Sequence, residues 1–307
     1  SASSYASVYH QVSNVEYYSA YFQGENISFV LIEDHKPIAI FPIFAYQDSN
    51  EWKISSNSLG LISPLFIRDI PKKARKRLEK QFIEIILFIS KKLKLRKMVL
   101  FEHSHFLSNW FLLWLERADK DFITYQLAID LRQSVESIKL DFRKSYKPLV
   151  NKALKEWDVK VCEENVDAVF EEFKDLHFEA AGKQTRSKES WSIQRKQIED
   201  NEAFLVSVRD GNLLIGAGFF NFSRDMGAYS VGAYKRDLFD KPIGHAVQMI
   251  AIKQLKDLGC KTYLLGEKAV ALSSNVSSKK EASISHFKEG FAGYVFAQPH
   301  LEISLNE

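Results

Sequence analysis

Apolar positions recur along this chain in two rhythms, one near two residues and one near three and a half, and each predicts its own element. Residues 29–32 and 38–45 are apolar runs joined by the charged stretch 33–37, the pattern of a β-hairpin with a polar tip. Downstream of Pro71, the residues Leu78, Phe82, Ile85, Ile86 and Ile89 fall at helical spacing. They predict an amphipathic helix of about 20 residues that starts beside the proline. A strand over 98–102, a helix capped by Ser108 or Asn109, and a strand over 122–131 follow. The first part of the chain is therefore expected to be α/β with a mixed sheet.

The second part runs through the same kinds of element in a similar order. Ser134 opens a helix, and Pro148 interrupts the pattern downstream, so two helical pieces or a kink are expected. A strand over 157–164 precedes an amphipathic helix with Val169, Phe170, Phe173 and Leu176 on one side, ending before Gly182. A further helix spans 188–200. Asp210-Gly211-Asn212 marks the turn of a hairpin, and 227–234 reads as the next strand. The loop 240–246 opens a long helix, a strand ends at Gly266-Glu267-Lys268, and a serine-rich loop leads to a short helix and a last strand. The repeated order predicts a duplicated fold with domains at 1–130 and 131–307, which suits a chain of 307 residues.

Composition narrows the class without naming it. With 46% hydrophobic and 26% charged residues, 13 Gly and 7 Pro, the chain reads as globular and not disordered. A net charge of +3 does not by itself predict nucleic-acid binding. Basic residues do cluster locally, at Lys72–Lys80 and again from Arg143 to Lys155. Cys162 and Cys260 form no paired motif, which fits a reducing compartment. The apolar runs fall far short of the roughly 20 residues that span a bilayer, and a cytoplasmic location is expected. His103 and His105 stand two apart at a strand end, but no third ligand accompanies them, so no metal is expected.

The segment 142–161, the strand 227–234, the helix 249–260, the strand 262–266 and the closing 286–294 (HFKEGFAGY) resemble the FemABX-like peptidyltransferases and their acyltransferase relatives. The resemblance covers about 130–304, and Phe287-Lys288-x-Gly290-Phe291-x-Gly293 is its most specific part. It implies two tandem domains of the GNAT (acetyltransferase-like) type, with mixed α/β sheets. Classical members move an amino acid from aminoacyl-tRNA to a peptidoglycan precursor, and relatives are similar to acyltransferases of polysaccharide pathways. The long two-helix arm that some members carry is absent here, since the helices near 165–181 and 188–200 are short. Lys241, Gly244, His245 and Ala246 stand where GNAT enzymes carry a loop whose backbone amides hold the pyrophosphate of CoA. Lys241 and Pro242 depart from that pattern, and the proline removes one amide donor.

What the resemblance implies is attack of an amine on an ester or thioester carbonyl. Such chemistry needs a positioned amine, a route for its proton and stabilisation of an oxyanion. No Ser-His-Asp or Cys-His set is evident, so direct transfer is expected. Lys288 is the expected cation near the carbonyl or phosphate. Glu267, past a strand end where open α/β sheets place ligands, is a candidate base. Tyr229 is a candidate for positioning the acceptor or donating a proton, Tyr234 a similar group nearer the loop, and His286 a second candidate base. Family members carry basic residues that meet the acceptor's phosphates where Lys183 and Arg186 stand, and Lys36 on the first hairpin is a further substrate-binding candidate. The expected function is N-acyl transfer from acyl-CoA, acetyl-CoA first, to an amine of a sugar or cell-envelope precursor. The alternatives are aminoacyl-tRNA-dependent transfer to a peptidoglycan precursor and a non-catalytic GNAT pair used for binding.

Overall fold

A computed structural model of the chain describes residues 6–66, 70–104, 106–270 and 278–305. In chain order it contains α1 (Val12–Tyr21), β1 (Glu25–Asn26), β2 (Phe29–Glu33), β3 (Lys36–Phe41), β4 (Phe44–Asp48), β5 (Glu51–Ser55) and β6 (Leu65–Phe66). Then come α2 (Lys72–Leu93), β7 (Lys97–Phe101), α3 (Asn109–Leu115), β8 (Lys120–Asp130), α4 (Val135–Asp141), α5 (Tyr146–Glu156) and β9 (Asp158–Val161). The rest are α6 (Val166–Ala181), α7 (Lys188–Glu199), β10 (Ala203–Asp210), β11 (Leu213–Phe222), β12 (Met226–Tyr234), α8 (Ile243–Asp257), β13 (Thr262–Glu267), α9 (Lys279–Glu289) and β14 (Tyr294–Ser304). The chain divides into two compact units, one of residues 1–124 with 297–307 and one of 125–296. The boundary falls inside β8, a few residues before the division at 130 expected from element order. The segment 297–307, expected in the second domain, belongs to the first unit because the C-terminal half of β14 pairs with β7, from His300↔Phe101 to Ser304↔Lys97.

In the first unit, the β2–β3 hairpin forms where the apolar runs predict it, with Asp34 and His35 at its turn. Helix α2 is 22 residues long, starting directly after Pro71. Leu78, Phe82 and Ile86 are buried as expected, whereas Ile85 is 39% exposed, since the buried stripe runs instead through Glu79, Ile83 and Ser90. Glu79 takes hydrogen bonds from Arg75 and Asn109, which is how a carboxylate is tolerated inside. Among the first unit's histidines, His103 is buried beside Glu102 and packs edge-on against His10, and His105 lies outside the described residues.

Two buried histidines of this unit make stability depend on pH. His10 shares hydrogen bonds with Ser7 Oγ and Ser63 O, and burial, reinforced by His103, lowers its pKa to about 3. His300, stacked between Phe101 and Phe122 and bonded to Thr124 Oγ1, is lowered by burial to about 4. Both values lie below the unfolded value of about 6.5, so the unfolded chain takes up protons first as pH falls. The stabilisation is complete above about pH 6.5 and is lost towards pH 4, with roughly 3 kcal/mol attached to His300 alone. Urea midpoints should therefore drop steeply between neutral pH and about pH 4.5, and His300→Phe should flatten that slope.

In the second unit the strand order is β8-β13-β12-β11-β10-β9. Neighbours are antiparallel except β12 and β13, which are parallel and joined across one face by α8. The core on the α8 side includes Phe220, Val247, Ile252 and Tyr263, while Phe173, Trp191, Phe219 and Val231 pack beneath α6 and α7 on the other. Ser134 caps α4 by accepting from Ser137 N. The expected break near Pro148 is real, but it falls before the proline. Pro148 occupies the first turn of α5, where a missing N–H leaves no bond unmade.

Candidate active site

The second unit holds a cavity of about 590 Å³. Strand β12, the first turn of α8, the end of α6 and the helix α9 form its walls. The cavity exists because two parallel strands part. Strands β12 and β13 pair at Met226↔Thr262, Gly227↔Tyr263 and Ala228↔Leu264, and then stop. Beyond that point β12 stays on β11 as far as Tyr234↔Gly216, and β13 stays on β8 as far as Glu267↔Gln126. Both strands are irregular where they part: Phe219 faces Val231 and Phe220 faces Tyr229, so Ser230 is an extra residue in β12, and Leu264 faces Ala128 while Gly266 faces Leu127, so Leu265 is extra in β13. Bulges of this kind bend a strand and re-aim its side chains.

Lys288, from α9, enters the wedge between the parted strands. Its ammonium lies 5.6 Å from the centre of the Tyr229 ring. On the other side it lies so close to Gly266 that a methyl group added there would sit 2.5 Å from Nζ. Burial lowers the Lys288 pKa to about 8, opposed by the charge of Glu267. Glu267 is exposed as a residue, yet its carboxyl is partly shielded, and burial followed by Glu281 raises its pKa against the pull of Lys288. It is a charge neighbour of Lys288 and does not line the cavity.

Helix α9 would be weak alone, and specific bonds hold it. Ser278 and Glu281 form a reciprocal capping box. Ser285 Oγ accepts from Ala269 N, and Tyr146 Oη donates to Phe287 O. The Tyr146 ring lies against Gly290, where any Cβ would collide with it. That contact gives the first glycine of the 286–294 segment a physical reason.

The two tyrosines of β12 share a bond, with Tyr229 Oη 3.0 Å from Tyr234 Oη. Burial pushes the Tyr229 phenol up to about 12 and raises Tyr234 as well, so both stay protonated at neutral pH. Lys241, Lys280 and Lys288 line the cavity, and among the described residues no carboxylate does. Lys241 is partly neutralised by Asp240 at 3.0 Å. Gly244 and His245 line the cavity, whereas Ala246 is wholly buried behind it. The amides of His245 and Ala246 are already donated to Pro242 O. Of the first turn, the amides of Ile243 and Gly244 are the ones left without an intrahelical acceptor. His245 has no hydrogen-bond partner at either ring nitrogen among the described residues, and it packs edge-on against Tyr146 and Phe287. Burial, with Arg143 nearby, lowers its pKa to about 4 and keeps it neutral.

The other expected residues lie apart from the cavity. His286 is exposed and turned to Arg143, whose guanidinium donates to Nε2 at 2.9 Å and to the His286 carbonyl at 3.0 Å. Arg186 stacks on Trp191 and donates to His177 Nε2, so it stands behind the cavity wall that His177 forms. Lys183 is exposed and does not line the cavity. Lys36 begins β3 in the first unit and is likewise not a lining residue. Sequence reasoning passed over Tyr146, His177, Ser230 and Lys280. Only Tyr146 left a signal, as the aromatic at the helix start in the basic stretch 142–147.

No family profile matches the sequence, and no curated protein matches it. Solved structures do. FemX aligns with a TM-score of 0.65 at 12% identity, covering 94% of this chain and 92% of that one. L-PGS from Bacillus licheniformis aligns with a TM-score of 0.58 at 11% identity, over 97% and 93%. A tandem GNAT protein from the clavulanic acid biosynthesis pathway aligns with a TM-score of 0.51 at 9% identity, over 91% and 83%. At these identities the likeness concerns the fold. The chain therefore has a FemABX-like, GNAT-related fold of mixed α/β type.

Proposed function

We propose that this protein is an acyltransferase that moves an acyl or aminoacyl group directly onto an amine, with the wedge between β12 and β13 as the place of reaction. The observation that carries the reading is a partly buried lysine in that wedge, next to the start of a long helix. In this reading the first-turn amides of Ile243 and Gly244, with Lys241 and Lys280, hold the anionic part of the donor. Lys288 faces the donor carbonyl. The amine attacks, a C–N bond forms, and Lys288 stabilises the oxyanion as charge grows on it. Collapse breaks the bond to the leaving sulfur or oxygen, which takes up a proton from the Tyr229–Tyr234 pair. The proton lost by the amine returns to that pair, and Glu267 serves Lys288 by keeping it charged.

The donor we favour is acyl-CoA, acetyl-CoA first, because the segment 240–246 resembles a CoA loop and opens α8 beside the cavity. The acceptor we favour is an amine on a sugar or cell-envelope precursor. A second reading, an aminoacyl-tRNA donor, has one observation in its favour: the likeness to FemX is stronger than that to the tandem GNAT protein, with TM-scores of 0.65 and 0.51. The two part in one experiment. Acetyl-CoA present well above its Kd should raise the melting temperature by several degrees, since a ligand of the native state alone stabilises it. Transfer activity should survive RNase. No shift with any CoA thioester, together with activity destroyed by RNase, would transfer the case to tRNA.

A further inference from the structure

The basic run at Lys72–Lys80 has no part in the cavity, and the helix that carries it has an unusual outer face. Lys73, Arg77, Lys80, Glu84, Phe88 and Lys91 follow one another at spacings of three and four, so they form a single stripe along α2. All six are exposed, and the buried stripe of Leu78, Phe82 and Ile86 faces the other way. The stripe carries four cations and one carboxylate. Among the described residues Lys73, Arg77, Lys80 and Lys91 have no ion-pair partner. At its far end Phe88 is 62% exposed, with the Lys92 ammonium 5.4 Å from its ring centre.

Beside this stripe lies an apolar groove of about 430 Å³ between α2 and β2, with Phe29, Leu31, Ile85 and Phe88 among its walls. An exposed aromatic and an open apolar groove next to unpaired cations are complementary to a surface that is anionic and apolar just beneath. We propose that the outer face of α2 docks the protein on an anionic lipid bilayer, with Phe88 and Ile85 entering the headgroup–acyl boundary and the basic stripe lying over the headgroups. Basic residues held near such a surface each contribute roughly fivefold in partition, and a buried aromatic contributes about tenfold more. An RNA would use the cations and stack on Phe88 but would leave Leu31, Leu78 and Ile85 of the groove without a partner. A second copy of this chain would set like charges against each other.

The test is cosedimentation of the full chain with vesicles. Vesicles of equal parts phosphatidylglycerol and phosphatidylcholine should pull the protein down, while phosphatidylcholine alone should not, and added salt should weaken the binding. Phe88→Ser should lower the partition about tenfold. Arg77→Glu with Lys80→Glu should lower it at least 25-fold. Lys155→Glu, a charge reversal at an exposed position of α5, should leave it unchanged. Because Arg77, Lys80 and Phe88 are exposed, circular dichroism should show each variant folded. Three results would overturn the proposal. They are no binding to anionic vesicles, undiminished binding by the α2 variants, and RNA binding or dimerisation that disappears with those same variants while vesicles are ignored. None of them bears on acyl transfer, which is read in a separate assay.

Discussion

Lys288→Ala is expected to lower the rate of acyl transfer by about a hundredfold to a thousandfold, the range found when an oxyanion-stabilising group is removed. The loss should fall on kcat and on kcat/KM alike, because the interaction is made with charge that develops only in the transition state. The fold should survive. The side chain projects into a cavity and has no hydrogen bond that α9 depends on, while Ser285 and Tyr146 do hold that helix. Lys288→Arg keeps a cation in the wedge and should retain part of the rate. The pH profile supplies an independent check. With its pKa lowered to about 8 by burial, Lys288 is charged below that pH and loses its charge above it. Transfer by the parent protein should therefore fall on an alkaline limb near pH 8, measured with a saturating acceptor, and Lys288→Arg should lack that limb. A Lys288→Ala variant with near-normal turnover would remove the residue from the mechanism.

How much of this was legible in the sequence depended on distance along the chain. Turns and caps are local, and they read correctly: Asp210-Gly211-Asn212 joins β10 and β11, and Ser108 and Ser134 cap their helices, whereas the α2 face was read one position off at Ile85. The 286–294 segment and the 240–246 loop could be singled out as short motifs, and the structure brings Lys288, Lys241, Gly244 and His245 to one cavity. The wedge itself was not legible. It depends on where the parallel ladder of β12 and β13 ends, and a register between strands 36 residues apart leaves no trace in either strand. Tyr146 and Gly290 fit each other across 144 residues, so neither explains the other until the chain is folded. Arg186 shows another kind of non-local contact. A loop arginine looks solvated in sequence, but it stacks on a tryptophan five residues on and bonds a histidine nine residues back. His286 likewise sits two residues from Lys288 in sequence while its ring faces Arg143.

Gly266→Ala should reproduce part of the Lys288 defect without touching the lysine. Gly266 has φ +119°, a conformation that an L side chain adopts only under strain, so the alanine should destabilise the fold by roughly 1–3 kcal/mol. The space is a second matter. The nearest atom to the new methyl group would be Lys288 Nζ, the end of a flexible chain, and the ammonium can swing away at little energetic cost. That movement takes it out of the wedge, and a displacement of about 1 Å at a reacting centre is enough to cost on the order of a hundredfold in rate. Gly259 separates the two effects. It too has positive φ, +81°, but no atom lies within 4 Å of a Cβ placed there, and it follows α8 at the end away from the cavity. Gly259→Ala should therefore lower the melting temperature to a similar degree and leave transfer unchanged. Gly266→Ala should lower both. Equal activity in the two variants would mean that the position of the Lys288 ammonium does not govern the reaction.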